Sequence, residues 1–183
     1  QDVSSQIPFE NKLVVHTSGS TDMSMIHSKN RKGVFYPLQT FSKAKQVDFN
    51  TIPIALESEN PTDYIILEKV AKAISNEVHQ INSVQRKALH VAAVFVCNFT
   101  NHLYQIGETI CEENQLSFDL LKPLIIETAD KIQTLSPSEA QTGPAKRNDT
   151  TTINSHLNFL NNENQKAIYK TLTKSIIDNG KKL

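Results

Sequence analysis

The chain has 183 residues, room for one domain or two small ones and enough to bury a core without staples. Its 19 Lys and Arg balance 19 Asp and Glu, and a pI near 7.2 argues against nucleic-acid or membrane-surface partners. No stretch approaches the roughly 18–20 apolar residues of a membrane span, and no signal pattern opens the chain, so a cytoplasmic protein is expected. The first residue, Gln1, points to a fragment, a processed form or an incompletely recorded chain.

Residues 1–57 read as strands with short connections. Lys12–His16 is a strand ending in the turn Thr17-Ser18-Gly19-Ser20, and Met23–Lys29 has room for a short helix. Gly33–Tyr36 is a second strand closed by Pro37, and Ile52–Leu56 a third, in which Pro53 predicts an edge position. After Leu56 the hydrophobic period becomes helical. Asn60-Pro61 is a cap followed by proline at the first helical position, and Tyr64, Leu67, Val70, Ala71 and Ile74 follow at helical spacing. An extended link, Glu77–Asn82, leads into the longest predicted element.

That element, Ser83–Asn114, reads as one helix capped by Ser83. From Ala88 to Phe99 it is apolar on almost every side, which predicts burial all round, at the centre of a helical domain or in a dimer interface. At about 100° per residue Ser83, Lys87, His90, Asn98, Asn101 and Gln105 form a polar stripe, with Arg86 and Cys97 at its edge. Cys97 and Cys111 would be roughly 21 Å apart along this helix, too far for a disulfide, so both should be free thiols. Three helices follow: about Ser117–Leu135, with Pro123 near its start, then one capped by Asp149 with Ile153, Leu157 and Leu160, then Glu163–Asp178, ended by Gly180. Between the first two, Pro137–Asn148 is a loop with a Gly143-Pro144 turn.

The candidate chemistry is sparse. A small hydroxyl-rich turn after a strand lies where α/β folds bind ligands, although an ordinary strand-to-helix turn has the same composition. A single His on an apolar helix is commonly a satisfied core group, but Asn98 and Asn101 on the same side each demand partners, which sets a ligand-facing stripe level with a structural one. His102 points further round and reads as structural, and Lys87 as a solvated helix end. Thr142, Gly143 and Arg147 offer backbone donors and a cation to an anionic ligand, whereas Asp149 is engaged as a cap. No His, Cys, Asp or Glu spacing fits a metal, and Cys97 is roughly 10 Å along the helix from His90, too far for a base–nucleophile pair. No glycine-rich phosphate-binding motif occurs.

The segments LVVHTSGS, GVFYPLQTFSK, QRKALHVAAVFVCNFTNHLY, ETADKI and AQTGPAKRND, in this order, resemble a bacterial family of Rossmann-like oxidoreductases. In that family a nucleotide-binding domain precedes a helical domain long catalogued as of unknown function. Its relatives are the deazaflavin-dependent NADP reductases, pyrroline-carboxylate reductases and 6-phosphogluconate dehydrogenases. The resemblance implies an α/β plus all-α fold. Residues 1–57 would be the C-terminal part of a Rossmann-like domain without its glycine-rich half. Residues 58–183 would be a helical dimerisation and substrate domain of the 6-phosphogluconate dehydrogenase C-terminal type. It further implies that Thr17, Ser18 and Gly19 lie beside the nicotinamide of NADP, and that the chain forms a homodimer. The superfamily's Lys-x-x-x-Asn pair has no counterpart from Lys87, because position 91 is valine; His90 and Asn98 are the nearest candidates by face.

The resulting expectation is an NADP-dependent oxidoreductase acting on a small polar substrate. His90 and Asn98 would be catalytic, Asn101, Thr142, Gly143 and Arg147 substrate-binding, and Thr17, Ser18 and Gly19 cofactor-binding. The rival expectation is a dimeric binding or scaffolding protein that kept the fold without the chemistry.

Overall fold

The computed structural model describes residues 3–180. The expected α/β part followed by helices is observed. Four strands form one mixed sheet in the order β1–β2–β3–β4: β1 (Leu13–His16), β2 (Arg31–Pro37), β3 (Ile54–Ser58) and β4 (Val78–Gln80). β1 runs parallel to β2 and β3 parallel to β4, while β2 and β3 are antiparallel. The fourth strand lies in the link Glu77–Asn82, too short to show a period. Its presence makes β3 an inner strand, which corrects the edge position predicted from Pro53. That proline precedes the strand, where its missing N–H costs no ladder bond and its carbonyl accepts from Leu38 N–H at 2.8 Å.

Ile54, Ala55 and Leu56 are all buried, as expected for a strand covered on both faces. Helix α1 (Pro61–Lys72) lays Leu67 and Ala71 on Ile54 and Leu56 to make the core, with Leu13, Phe35, Tyr64 and Val78 packed around it. Asn60 caps α1 by accepting Asp63 N–H, as the sequence predicts. Met23–Met25 forms only a single 3-10 turn, shorter than the helix allowed for there.

The long helix forms, but in three parts: α2 (Ser83–Ala93), a π-helical stretch Val94–Phe99, and α3 (Thr100–Glu113). Its cap is Asn82, reciprocated by Gln85, and not Ser83, whose side chain is turned to Glu57 instead. The predicted burial all round is not met within this single chain. Val91, Phe95, Val96 and Phe99 are 50, 62, 73 and 49% exposed. An apolar surface must be covered by something, but nothing obliges the same chain to do it.

Two compact units are distinguished, Gln1–Asn101 and His102–Leu183. The second contains the rest of α3, a 3-10 turn Phe118–Leu121 capped by Ser117, and α4 (Lys122–Lys131) with Pro123 in its first turn. A single turn, α5 (Pro137–Ala140), α6 (Thr150–Phe159) and α7 (Glu163–Gly180) complete it. Asp149 caps α6 as predicted, accepting from the N–H and hydroxyl of Thr152. Cys97 and Cys111 are both free. No helix among the described residues is long and apolar enough to cross a membrane.

Candidate active site

β1 delivers the chain to His16, and the next five residues fold back on themselves through one hydroxyl. Ser18 Oγ accepts the N–H groups of Ser20 (3.3 Å) and Thr21 (3.1 Å) and the hydroxyl of Thr21 (2.8 Å). Ser18 N–H in turn donates to His16 Nδ1 at 3.2 Å. The hydroxyl that the composition offered to a ligand is thus spent on shaping the turn, leaving Thr17 exposed and Gly19 buried.

Arg86, one turn into α2, fixes this turn to the sheet. It is 1% exposed. Its Nε donates to the Ser18 carbonyl (3.1 Å), one terminal nitrogen to Glu57 Oε2 (2.6 Å), and the other to the Thr21 carbonyl and Ser83 Oγ. Glu57, on β3, also accepts the N–H and hydroxyl of Ser83. A planar guanidinium satisfies these acceptors in divergent directions, which a lysine ammonium on a flexible stem does not. Strand, turn and helix N-terminus are therefore held by one ion pair whose guanidinium is buried and makes four hydrogen bonds.

The same clamp brings Gly19 against two side chains. Tyr36 on β2 and His90 on α2 share a hydrogen bond, hydroxyl to Nδ1, at 3.2 Å, with their rings edge to face. A Cβ built on Gly19 would lie 2.6 Å from His90 Nδ1 and 2.8 Å from the Tyr36 ring and hydroxyl, so only glycine permits this approach. Burial pushes the Tyr36 phenol above its ordinary value, with Arg86 acting weakly the other way. The group stays protonated at neutral pH and available as a donor. His16 is shifted in the opposite sense for a base: burial first and the Arg86 charge second hold its pKa below the usual imidazole range. Its Nε2 is buried without a hydrogen-bond partner.

Of the residues singled out in the sequence, Gly19 and His90 come into contact, with Thr17 and Ser18 in the same turn. Asn98 and Asn101 are exposed, and the polar stripe does not continue straight from His90 to them. A π turn takes about one more residue than an α turn, so Val94–Phe99 turns Asn98 and Asn101 away from the line of His90. Lys87 is exposed, and His102 contacts Gln105 at 3.4 Å. Thr142, Gly143 and Arg147 belong to the second unit, on the loop before α6. There Gly143 has φ 97°, Arg147 N–H donates to the Gly143 carbonyl (3.3 Å), and the Arg147 side chain is exposed. Sequence reasoning passed over Tyr36 and Glu57 and left Arg86 at the edge of the stripe. The spacing Arg86–His90, one helical turn, is the signal that places Arg86 on the His90 face. Nothing local in the strand marks Tyr36.

The family profile described as a domain of unknown function, DUF2520, matches residues 52–176. The crystal structure of a "putative NADP oxidoreductase" (BF3122) from Bacteroides fragilis is similar with a TM-score of 0.87 and 44% identity over 91% of this chain. The chain spans 65% of the length of that protein. Protein TM1727 from Thermotoga maritima is similar in fold, with a TM-score of 0.79 at 22% identity, covering 98% of this chain and 73% of its own. No curated protein matches the sequence.

Proposed function

The chain belongs to the DUF2520 family, and from that premise we propose that it is part of an NADP-dependent oxidoreductase that moves a hydride to or from a small polar substrate. The observation that carries this reading is the contact of Gly19 with the Tyr36–His90 pair beyond the end of β1. A turn that packs without a side chain against a hydrogen-bonded His–Tyr pair sets a proton source at the end of β1, which is what a carbonyl reduction needs from the protein. The name of the Bacteroides fragilis protein supports the cofactor class. Relationship to the pyrroline-carboxylate reductases, the 6-phosphogluconate dehydrogenases and the deazaflavin-dependent reductases is part of the proposal.

When bound, NADPH would supply the hydride. The neutral, small turn Thr17–Gly19 fits the nicotinamide end, and no segment of the sequence has the glycine spacing that grips the pyrophosphate. In its imidazolium form His90 donates Nδ1–H to the Tyr36 oxygen and gives its Nε2 proton to the substrate oxygen as negative charge develops there, ending as the neutral imidazole. Asn98 and Asn101, both exposed on the same long helix, orient the substrate. In the second unit, Thr142, Gly143 and Arg147 form an anion-holding loop. The exposed Val91, Phe95, Val96 and Phe99 are the surface through which two copies associate as a homodimer. Calorimetric titration with NADPH, together with NADPH oxidation over a panel of small oxo acids, tests the reading. Micromolar binding is expected, and His90→Ala should lower turnover by about 10²–10⁴-fold while the protein remains dimeric. Unchanged turnover would remove His90 from the reaction, and no binding would remove the cofactor.

A further inference from the structure

His16 carries the one buried side-chain nitrogen or oxygen among the described residues that has no hydrogen-bond partner. Which proton it holds is decided by its neighbour. A backbone N–H can only donate, so Ser18 N–H fixes Nδ1 as an acceptor, and a neutral ring must then carry its hydrogen on Nε2. Burial and the Arg86 charge both favour that neutral ring. The Asp22 backbone carbonyl is close enough to act on the ring as a weak acceptor, and the Asp22 charge adds to it, both raising the pKa, but no acceptor meets Nε2 in full hydrogen-bond geometry. The result is a donor of fixed direction whose nearest acceptor, the Asp22 carbonyl, falls short of full hydrogen-bond geometry, a situation that costs free energy unless something else supplies a better acceptor.

His16 also lines a groove of about 860 Å³ along β1, together with Val14, Val15, Thr21, Ile26 and Lys32. The volume suits a small ligand or one end of a larger one. Among the described residues that line it there are hydroxyls, imidazoles and one lysine but no carboxylate, so the groove favours an acceptor-rich ligand over a cationic one. We propose that His16 is a ligand-contact residue whose Nε2–H donates to a carbonyl or carboxylate oxygen of a small molecule seated in this groove. The turn that holds Gly19 against His90 begins at His16, so the contact adds a reading head to the site proposed above. On that reading the acceptor is the carboxamide oxygen of the cofactor. Independently of it, the acceptor is the carboxylate of an oxo-acid substrate.

The two amide side chains separate the two nitrogens of the ring. In His16→Asn the amide oxygen stands near the place of Nδ1 and keeps the Ser18 bond without the outer donor. In His16→Gln the amide nitrogen stands near the place of Nε2. Binding of NADPH and, separately, of pyruvate is measured by calorimetry for the protein and both variants, while nitrogen-15 spectra follow the imidazole of His16. The expected result is an Nε2–H tautomer whose signal moves when one of the two probes is added. Affinity for that probe should fall about tenfold or more in His16→Asn and by no more than about threefold in His16→Gln. A response to pyruvate alone would support the contact while removing NADPH from this chain. Binding of NADPH with a silent His16 signal and full affinity in His16→Asn would overturn the contact and leave the cofactor reading standing. A signal already hydrogen-bonded in the free protein and indifferent to both probes would also overturn it, because the Asp22 carbonyl would then have taken the proton.

Discussion

The two units of the chain bury themselves to very different degrees. In the first, Val34, Ile54, Leu56 and Ala71 are 0% exposed, and the charged groups that join them inside are paired: Arg86 with Glu57, and Asp63 with Arg31. In the second, Cys111 and Gln165 are the buried residues among those described, while Leu120, Leu124, Ile126 and Phe159 are 70, 61, 61 and 59% exposed. An apolar cavity of about 290 Å³, lined by side chains such as Leu103, Ile106, Phe159 and Leu172, remains among its helices. A sheet closes its hydrogen bonds and its core within one chain. Amphipathic helices satisfy their backbones locally and leave their apolar faces to whatever arrives, which on the reading above is a second copy.

Removing the guanidinium from the first unit should do the most damage. Arg86→Ala leaves the half-buried Glu57 without its cation and frees the Ser18–Thr21 turn, and is expected to cost about 3–5 kcal/mol in a urea unfolding curve. Arg86→Lys should recover little of it, since one ammonium cannot reach Glu57, Ser83, Ser18 and Thr21 together. A loss below about 1 kcal/mol would mean that the turn is held by its own hydroxyl bonds. The core comes next: Leu56→Ala should cost about 2–5 kcal/mol. Its counterpart in the second unit, Leu124→Ala, separates free surface from covered surface. On free surface the change stays within about 0.5 kcal/mol. Under a second copy it exceeds that, and the melting temperature depends on protein concentration.

Much of this contrast is legible in the residues, and the illegible part has a physical cause. Caps such as Asn60 and Asp149 are local chemistry and read directly. So is the change of period after Leu56. β4 is three residues long and carries no period, and without it β3 reads as an edge strand. The π-helical stretch leaves no mark in composition, yet it separates His90 from Asn98 and breaks the stripe that a uniform 100° step predicts. Burial of Ala88–Phe99 follows from hydropathy only as a demand, and which chain meets the demand lies outside one sequence. At the candidate site, Gly19 and His90 are visible because one follows a strand and the other interrupts an apolar run. Tyr36 and Glu57 are brought to them by strand pairing across long sequence separations, which local patterns do not encode.

Gly19→Ala tests the closest approach in the first unit. The added methyl meets His90 Nδ1 at 2.6 Å and Tyr36 at 2.8 Å, so one of them must move. The expected loss is about 1–3 kcal/mol, the usual range for overpacking, accompanied by a shifted His90 imidazole signal as the bond to Tyr36 lengthens. A variant as stable as the parent with an unchanged imidazole signal would mean that the turn yields in place of the pair, and that Gly19 does not set the geometry of His90.

The smallest effect is one of pH, and it concerns the other ion pair of the first unit. Asp63 is 3% exposed and receives Arg31 Nε on both oxygens, at 3.1 and 2.9 Å, and Asn60 Nδ2 at 2.8 Å. These bonds, Arg31 foremost and Asn60 after it, hold its carboxyl below the ordinary aspartate value against the opposing push of burial. A pKa lower in the folded than in the unfolded chain contributes stability that is fully present above the unfolded value and is lost as pH falls through the folded one. Because Arg31 is 47% exposed, water screens the pair and the contribution is modest. Unfolding curves taken between about pH 6 and pH 2 for the protein and for Asp63→Asn should therefore diverge at the upper end and converge towards the lower. Parallel curves would place the native pKa of Asp63 at its unfolded value, and the Arg31–Asp63 pair would then orient α1 on β2 without adding to its stability.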